Sequence, residues 1–125
     1  MSSWNIEKED LFEEIVAVKD LLGMNINRKN YNNMNTDAMY NVLQKYKKDF
    51  NKLNKNIFLL RLTVYKYNSN KAMNCYVSKN KKPTYKWYNA MQFNSYDEAY
   101  SFLNNKLTLN NGWQLINYQI EKLKF

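Results

Sequence analysis

A chain of 125 residues with 45% hydrophobic and 16% aromatic residues carries enough apolar material for one folded domain without a disulfide or metal. It contains no histidine, so it lacks the commonest general base and the commonest transition-metal ligand; its two glycines, Gly23 and Gly112, cannot build a phosphate-cradling loop, and the lone Cys75 allows no internal disulfide. A formal net charge of +8 points instead to anionic partners.

Uninterrupted apolar runs reach only four residues, as in Ile57–Leu60, against about 20 for a membrane span. No basic start followed by an apolar stretch marks a secretory leader. These absences, with the unpaired thiol, set the expectation of a cytoplasmic protein that has no cofactor, no metal and no enzymatic activity. Heavy use of Asn, Lys, Tyr and Ile reflects AT-rich codons and suggests a low-GC bacterium, its phage or its plasmid as the source.

In chain order, Ser2, Ser3 or Asn5 can cap a first helix. Leu11, Ile15, Val18 and Leu22 then recur as one apolar stripe, with Phe12 and Val16 beside them. Acidic residues crowd its first half, and Gly23 stands where a helix stops. Residues 24–35 are rich in Asn and predict a loop, in which Arg28, Lys29 and Tyr31 form a possible contact site. A second helix is expected over residues 36–54, capped by Asn35 or Thr36. Met39, Leu43, Tyr46, Phe50 and Leu53 form its apolar stripe, and Lys45, Lys48, Lys52 and Lys55 run along the opposite side. The two apolar stripes suit packing of the helices on each other or on a partner helix.

From Ile57 to Phe93 the pattern changes to three strands. In the first, Phe58, Leu60, Leu62 and Val64 alternate onto a core face, leaving Leu59, Arg61, Thr63, Tyr65 and Tyr67 on the other. Asn68–Asn70 is a turn. In Ala72–Ser78, Met73, Cys75 and Val77 face inward, with Asn74 and Tyr76 outward. Asn80–Thr84 is a basic hairpin tip, and Tyr85–Phe93 predicts a third strand with Trp87, Met91 and Phe93 on one face and Lys86 and Tyr88 on the other. Ser95 and Glu98 have the spacing of a capping box. The helix that follows should place Tyr96, Ala99, Tyr100, Leu103 and Leu107 on the sheet. A final strand runs from Trp113 to about Lys122 with Ile116, Tyr118 and Ile120 on one face, and its parity slips near Leu123 and Phe125. The expected class is α+β: two N-terminal helices (residues 1–54), then a three-stranded antiparallel sheet, a helix and a final strand (residues 55–125), in a single domain.

Charge is distributed unevenly. Residues 1–20 carry two basic and six acidic side chains, residues 21–90 carry fourteen and two, and residues 91–125 carry three of each. The excess interleaves with rings, a mixture suited to single-stranded nucleic acid, where bases stack on aromatics and lysines follow phosphates. The candidate contact set is Lys45, Lys48, Lys52, Lys55, Arg61, Tyr65, Lys66, Tyr67, Tyr76, Lys79, Lys81, Lys82, Lys86 and Tyr88.

Three strands followed by Phe93, Ser95, Glu98 and Ala99 in a Phe-x-Ser-x-x-Glu-Ala arrangement look like the small arm-binding domains of phage integrases. That resemblance covers under a third of the chain and implies a sheet laid on DNA. The order helix, three strands, helix over residues 36–107 is also similar to double-stranded-RNA-binding domains. Their basic signature at the last helix start is replaced here by Ser95-Tyr96-Asp97-Glu98, which repels phosphate. The expected function is therefore a non-enzymatic protein that binds nucleic acid or a nucleoprotein complex. The alternative is a phage- or plasmid-encoded inhibitor of a host protein, such as a nuclease-based defence complex (an anti-CRISPR-like effector). No membrane partner is expected, and a homodimer stays open.

Overall fold

The structure is a computed structural model that describes residues 4–66, 71–109 and 113–125. The chain divides into two compact units, Met1–Lys55 with Lys124–Phe125, and Asn56–Leu123.

The first unit is helical, with α1 (Ile6–Leu21) packed on α2 (Thr36–Leu53). Asn5 caps α1 by accepting the Lys8 N–H at 2.7 Å; Ser2 and Ser3 lie outside the described residues. At the other end the Gly23 N–H donates to Asp20 O at 3.0 Å and the Met24 N–H to Lys19 O at 2.9 Å. This closure needs a left-handed residue, and Gly23 supplies it with φ +71°. Asn35 caps α2 by accepting the Ala38 N–H at 2.8 Å. Of the expected stripes, Ile15 and Val18 from α1 and Met39, Leu43 and Phe50 from α2 are buried; Leu11, Leu22 and Tyr46 are half-buried, and Leu21 is buried where Leu22 was expected. Leu53 departs from this and is exposed. Phe125 completes the unit. Its ring meets Phe50 edge-on at 5.4 Å, and Asn51 bonds its backbone twice, at 2.6 and 2.8 Å.

The Asn-rich stretch is not a plain loop. Asn27 accepts the Lys29 N–H at 3.0 Å and starts a 3-10 turn over Arg28–Tyr31. Tyr31 is buried and packs edge-on against Phe12 at 5.5 Å. One side-chain bond inside the segment and one ring contact to Phe12 thus order a stretch with little apolar content of its own against the first helix.

The second unit is an antiparallel sheet of β1 (Phe58–Lys66), β2 (Ala72–Val77), β3 (Pro83–Thr84) and β4 (Trp113–Lys122), in the order β3-β2-β1-β4, with α3 (Tyr96–Asn105) against one face. The α+β class holds among the described residues, and the final strand joins the other three as a fourth at the free edge of β1. Strand alternation aims Leu60, Leu62, Val64, Cys75 and Val77 at Ala99 and Phe102 of α3, with Phe93 in the same buried cluster.

Four details differ from expectation. The strand over Tyr85–Phe93 does not form. Pairing with β2 ends at Thr84, whose hydroxyl accepts the Lys86 N–H at 3.2 Å and turns the chain. Trp87–Asn89 is a 3-10 turn, and the segment returns through single bridges Ser78–Ala90 and Phe58–Phe93. The parity slip of β4 lies at Ile116, not near Leu123. Thr63 pairs with Asn117 and Val64 with Leu115, so Ile116 bulges out exposed while Tyr118 and Ile120 share the parity of Leu62 and Leu60. Leu123 remains in line, donating its N–H to Ile57 O at 2.7 Å.

The capping box closes one residue early: Ser95 Oγ accepts the Glu98 N–H at 3.1 Å, but Glu98 Oε2 accepts from the Asn94 N–H, not from that of Ser95. Finally, Tyr96 and Tyr100 are exposed instead of buried on the sheet, where Tyr100 reaches Tyr118 of β4. Phe102 packs on Phe93 at 5.5 Å, and with Ala99 it fixes the inner face so that both tyrosines fall on its border.

Cys75 is buried in this core, and loss of water pushes its thiol above the ordinary value of 9.0. The neutral thiol is favoured in the folded state, so its contribution is complete below pH 9.0 and declines as pH rises from there toward the raised folded value. Cys75→Ala should cost about 1 kcal/mol at neutral pH through lost packing. Denaturant titrations from pH 7 upward should show a shallower alkaline fall for that variant than for the parent.

Candidate functional site

The turn joining β2 to β3 is the most completely built polar feature of the sheet unit. The Lys81 N–H donates to Ser78 O at 2.9 Å, and the Ser78 N–H to Lys82 O at 2.8 Å. The Ser78 hydroxyl accepts the Lys82 N–H at 3.1 Å and also bonds Asn80 Oδ1. These bonds hold Lys81 in the left-handed region at φ 64°, where a side chain is strained. The pinned turn carries Lys79, Lys81 and Lys82 on four consecutive residues, and all three are exposed.

Beside the turn is an open hollow of ≈540 Å³, lined by Lys79, Lys82, Asn80, Thr84 and Tyr88, with Ser78 and Asn89 among its remaining walls. Tyr88 and Asn89 of the 3-10 turn Trp87–Asn89 line it together with the hairpin tip. Tyr88 is braced: Trp87 meets its ring edge-on at 5.7 Å, and Lys86 Nζ lies 5.7 Å from the ring centroid. Among the described residues no carboxylate lines the hollow. Among the described residues the ion pairs lie elsewhere, at Arg28–Glu9, Lys47–Glu14 and Arg61–Glu121, so none neutralises the three turn lysines.

The expected contact set therefore splits. Lys79, Lys82 and Tyr88 come together at the hollow, with Lys81 and Lys86 adjacent in the chain. Arg61 and Tyr76 are cross-strand partners, and Tyr76 pairs onward with Thr84. These residues form a row on the face away from α3, but Arg61 is already engaged by Glu121 at 3.4 Å. Leu59, expected on this contact face, is buried. Tyr65 and Lys66 sit at the far end of β1, four and five residues from Arg61, or about 13 and 17 Å along the strand. Strand alternation puts Lys66 on the opposite face from Arg61 and Tyr65. Tyr67 lies outside the described residues.

In the helical unit Lys45, Lys48 and Lys52 are exposed along α2. Lys55 leaves this row because its Nζ donates to Leu21 O at 2.6 Å, capping the end of α1. Arg28 is likewise occupied, 3.8 Å over the Trp4 ring and paired with Glu9, and Tyr31 is buried. The expected contact at Arg28 and Tyr31 is thus internal packing.

Ser78, Asn80, Thr84 and Asn89 in the hollow were not expected as site residues. A Ser-Lys-Asn-Lys turn is the local signal for them, since Ser and Asn side chains fold back on a turn backbone. A second unexpected feature is a ring series on the sheet unit: Tyr96 stacks on Tyr100 at 6.3 Å, and Tyr100 meets Tyr118 at 6.2 Å. Partial burial, then the neighbouring phenols of Tyr100 and Tyr96, push the Tyr118 phenol above its ordinary value.

Among the described residues no group of three or more carboxylate or thiol side chains is placed to hold a metal, and no helix is long and apolar enough to cross a membrane. Comparison with protein-family models, curated proteins and solved structures gave no match. The chemistry of the hollow is accordingly argued from its own residues.

The left-handed Lys81 separates charge from fold. Lys81→Gly should remove one positive charge while keeping or raising stability by up to about 1 kcal/mol, because glycine adopts this φ without strain. Lys81→Val should cost about 1–2 kcal/mol. Urea midpoints of the two variants and the parent check both signs.

Proposed function

We propose that this protein binds nucleic acid without chemically altering it, using the β2–β3 turn and the hollow beside it. The observation that carries this reading is the set of turn lysines, Lys79, Lys81 and Lys82, exposed together on a hydrogen-bonded turn with no carboxylate among the described residues paired to them. Residues 56–123 carry nine basic and three acidic side chains, net +6, and one of the acids, Glu121, is spent on Arg61. Like charges held this close favour any anion that fits between them, and each phosphate neutralised releases counterions. Tyr88 at the same hollow adds a ring on which a base can stack.

Salt titration tests the proposal. Affinity for DNA or RNA should fall linearly in log salt, with a slope of about −0.7 to −0.9 per phosphate contacted. Replacing Lys79, Lys81 and Lys82 together by Glu should abolish binding at about 50 mM salt and change the unfolding free energy by under about 1 kcal/mol, since exposed charges contribute little to folding. Retained binding in that variant sinks this site.

A second reading rests on the tyrosine series. Tyr96, Tyr100 and Tyr118 are exposed next to Asp97 and Glu98, a setting that repels phosphate and resembles the aromatic anchors of protein interfaces. On this reading the protein is an inhibitor of a host nucleic-acid-processing protein, carried by a phage or plasmid. Nuclease-treated host lysate should then yield one stoichiometric partner, and Tyr100→Ala should release it.

A further inference from the structure

We infer that the hollow beside the β2–β3 turn receives one unstacked nucleotide of a single strand, with its phosphate between Lys79 and Lys82 and its base on Tyr88. This rests on the nucleic-acid reading above and narrows it from nucleic acid in general to single strands.

Four observations converge. The hollow, ≈540 Å³, lies within the roughly 300–1,000 Å³ of small-ligand sites, so it admits a body of nucleotide size instead of following a smooth duplex surface. Its two lysines and its ring come from different segments, the hairpin tip and the 3-10 turn, and line the same hollow, so one ligand can meet both. Its polar groups are mostly pre-committed on one side and available on the other. Asn80 Oδ1 is used inside the turn, which leaves the amide N–H₂ to donate; the Thr84 hydroxyl accepts from Lys86 N–H, which leaves its own proton to donate. Donors of this kind suit phosphate oxygens and the edge atoms of a base. Lastly, Tyr88 is backed by Trp87 and Lys86, so the ring need not be ordered on binding.

A duplex base cannot use this arrangement. Its faces are covered by neighbouring pairs, and only extrusion from the stack would bring it to a ring in a concavity. Single strands offer unstacked bases at once, and base–ring stacking is tolerant of sequence. The site should therefore favour single strands with weak sequence preference.

The test uses the full chain and fluorescence anisotropy at about 50 mM salt, with a short labelled oligothymidylate and a duplex of equal length. The single strand should bind more tightly. Tyr88→Ala should weaken it about tenfold, and Tyr88→Phe should leave it unchanged, because the ring and not the hydroxyl makes the stack. Trp87 touches Tyr88, so in a Trp4→Phe, Trp113→Phe background the emission of Trp87 should change with the single strand and stay constant with the duplex. Equal or tighter duplex binding, or single-strand affinity unchanged in a folded Tyr88→Ala, overturns this inference and leaves general nucleic-acid binding standing. Absence of binding to either probe overturns both. Should Tyr88→Ala fail to fold, a variant with Trp4→Phe and Trp113→Phe, whose one remaining tryptophan is Trp87, decides: an emission response to the single strand supports the nucleotide site, and none overturns it.

Discussion

β1 is hydrogen-bonded along both edges, to β2 on one side and β4 on the other, and the sheet unit is ordered by that strand. Its alternation sets everything around it. Leu60, Leu62 and Val64 are nearly without solvent contact and form the floor on which Ala99 and Phe102 rest. Burying three such side chains contributes on the order of 5–9 kcal/mol against the conformational cost of ordering the strand. A one-residue slip of β1 would exchange this floor for Arg61 and Thr63, so register and core are one constraint. The hairpin tip inherits its position from the same source, because Ser78 and Phe58 are each bridged to the segment Ala90–Phe93.

The two units use their cations differently. In the helical unit Lys8, Lys19 and Lys55 donate to backbone carbonyls, while Arg28 and Lys47 meet carboxylates. The three lysines close turns and helix ends and Lys47 ties α2 to α1, while Lys45, Lys48 and Lys52 stay exposed along α2. In the sheet unit three lysines on one tight turn face solvent without such partners among the described residues. A +8 total therefore overstates what the helices offer an anion and understates the local density at the hairpin.

Much of the architecture was legible in the sequence because it is periodic. The bounds of α2 and β4 and the inward face of β1 follow from spacing alone. What was not legible is non-local or hinges on one side chain. The hydroxyl of Thr84 diverts a segment whose Trp87, Met91 and Phe93 imitate strand alternation. The bulge at Ile116 appears only when β4 is aligned with β1. Lys55 and Arg61 lie in the expected basic stripe and strand face, yet their partners, Leu21 and Glu121, are 34 and 60 residues away. The candidate site was half visible: its lysines and Tyr88 stand out by composition, whereas its concavity depends on a 3-10 turn that spacing had cast as strand.

The clasp on Phe125 has a bearing on synthesis. Residues Lys124–Phe125 belong with the helices although 68 residues of sheet unit intervene. A ribosome releasing this polypeptide delivers α1 and α2 early, yet the edge of Phe50 and the amide of Asn51 wait for position 125 to emerge. Until then the helical pair is unfinished at that corner, and the completed clasp records that the intervening segment has already been translated.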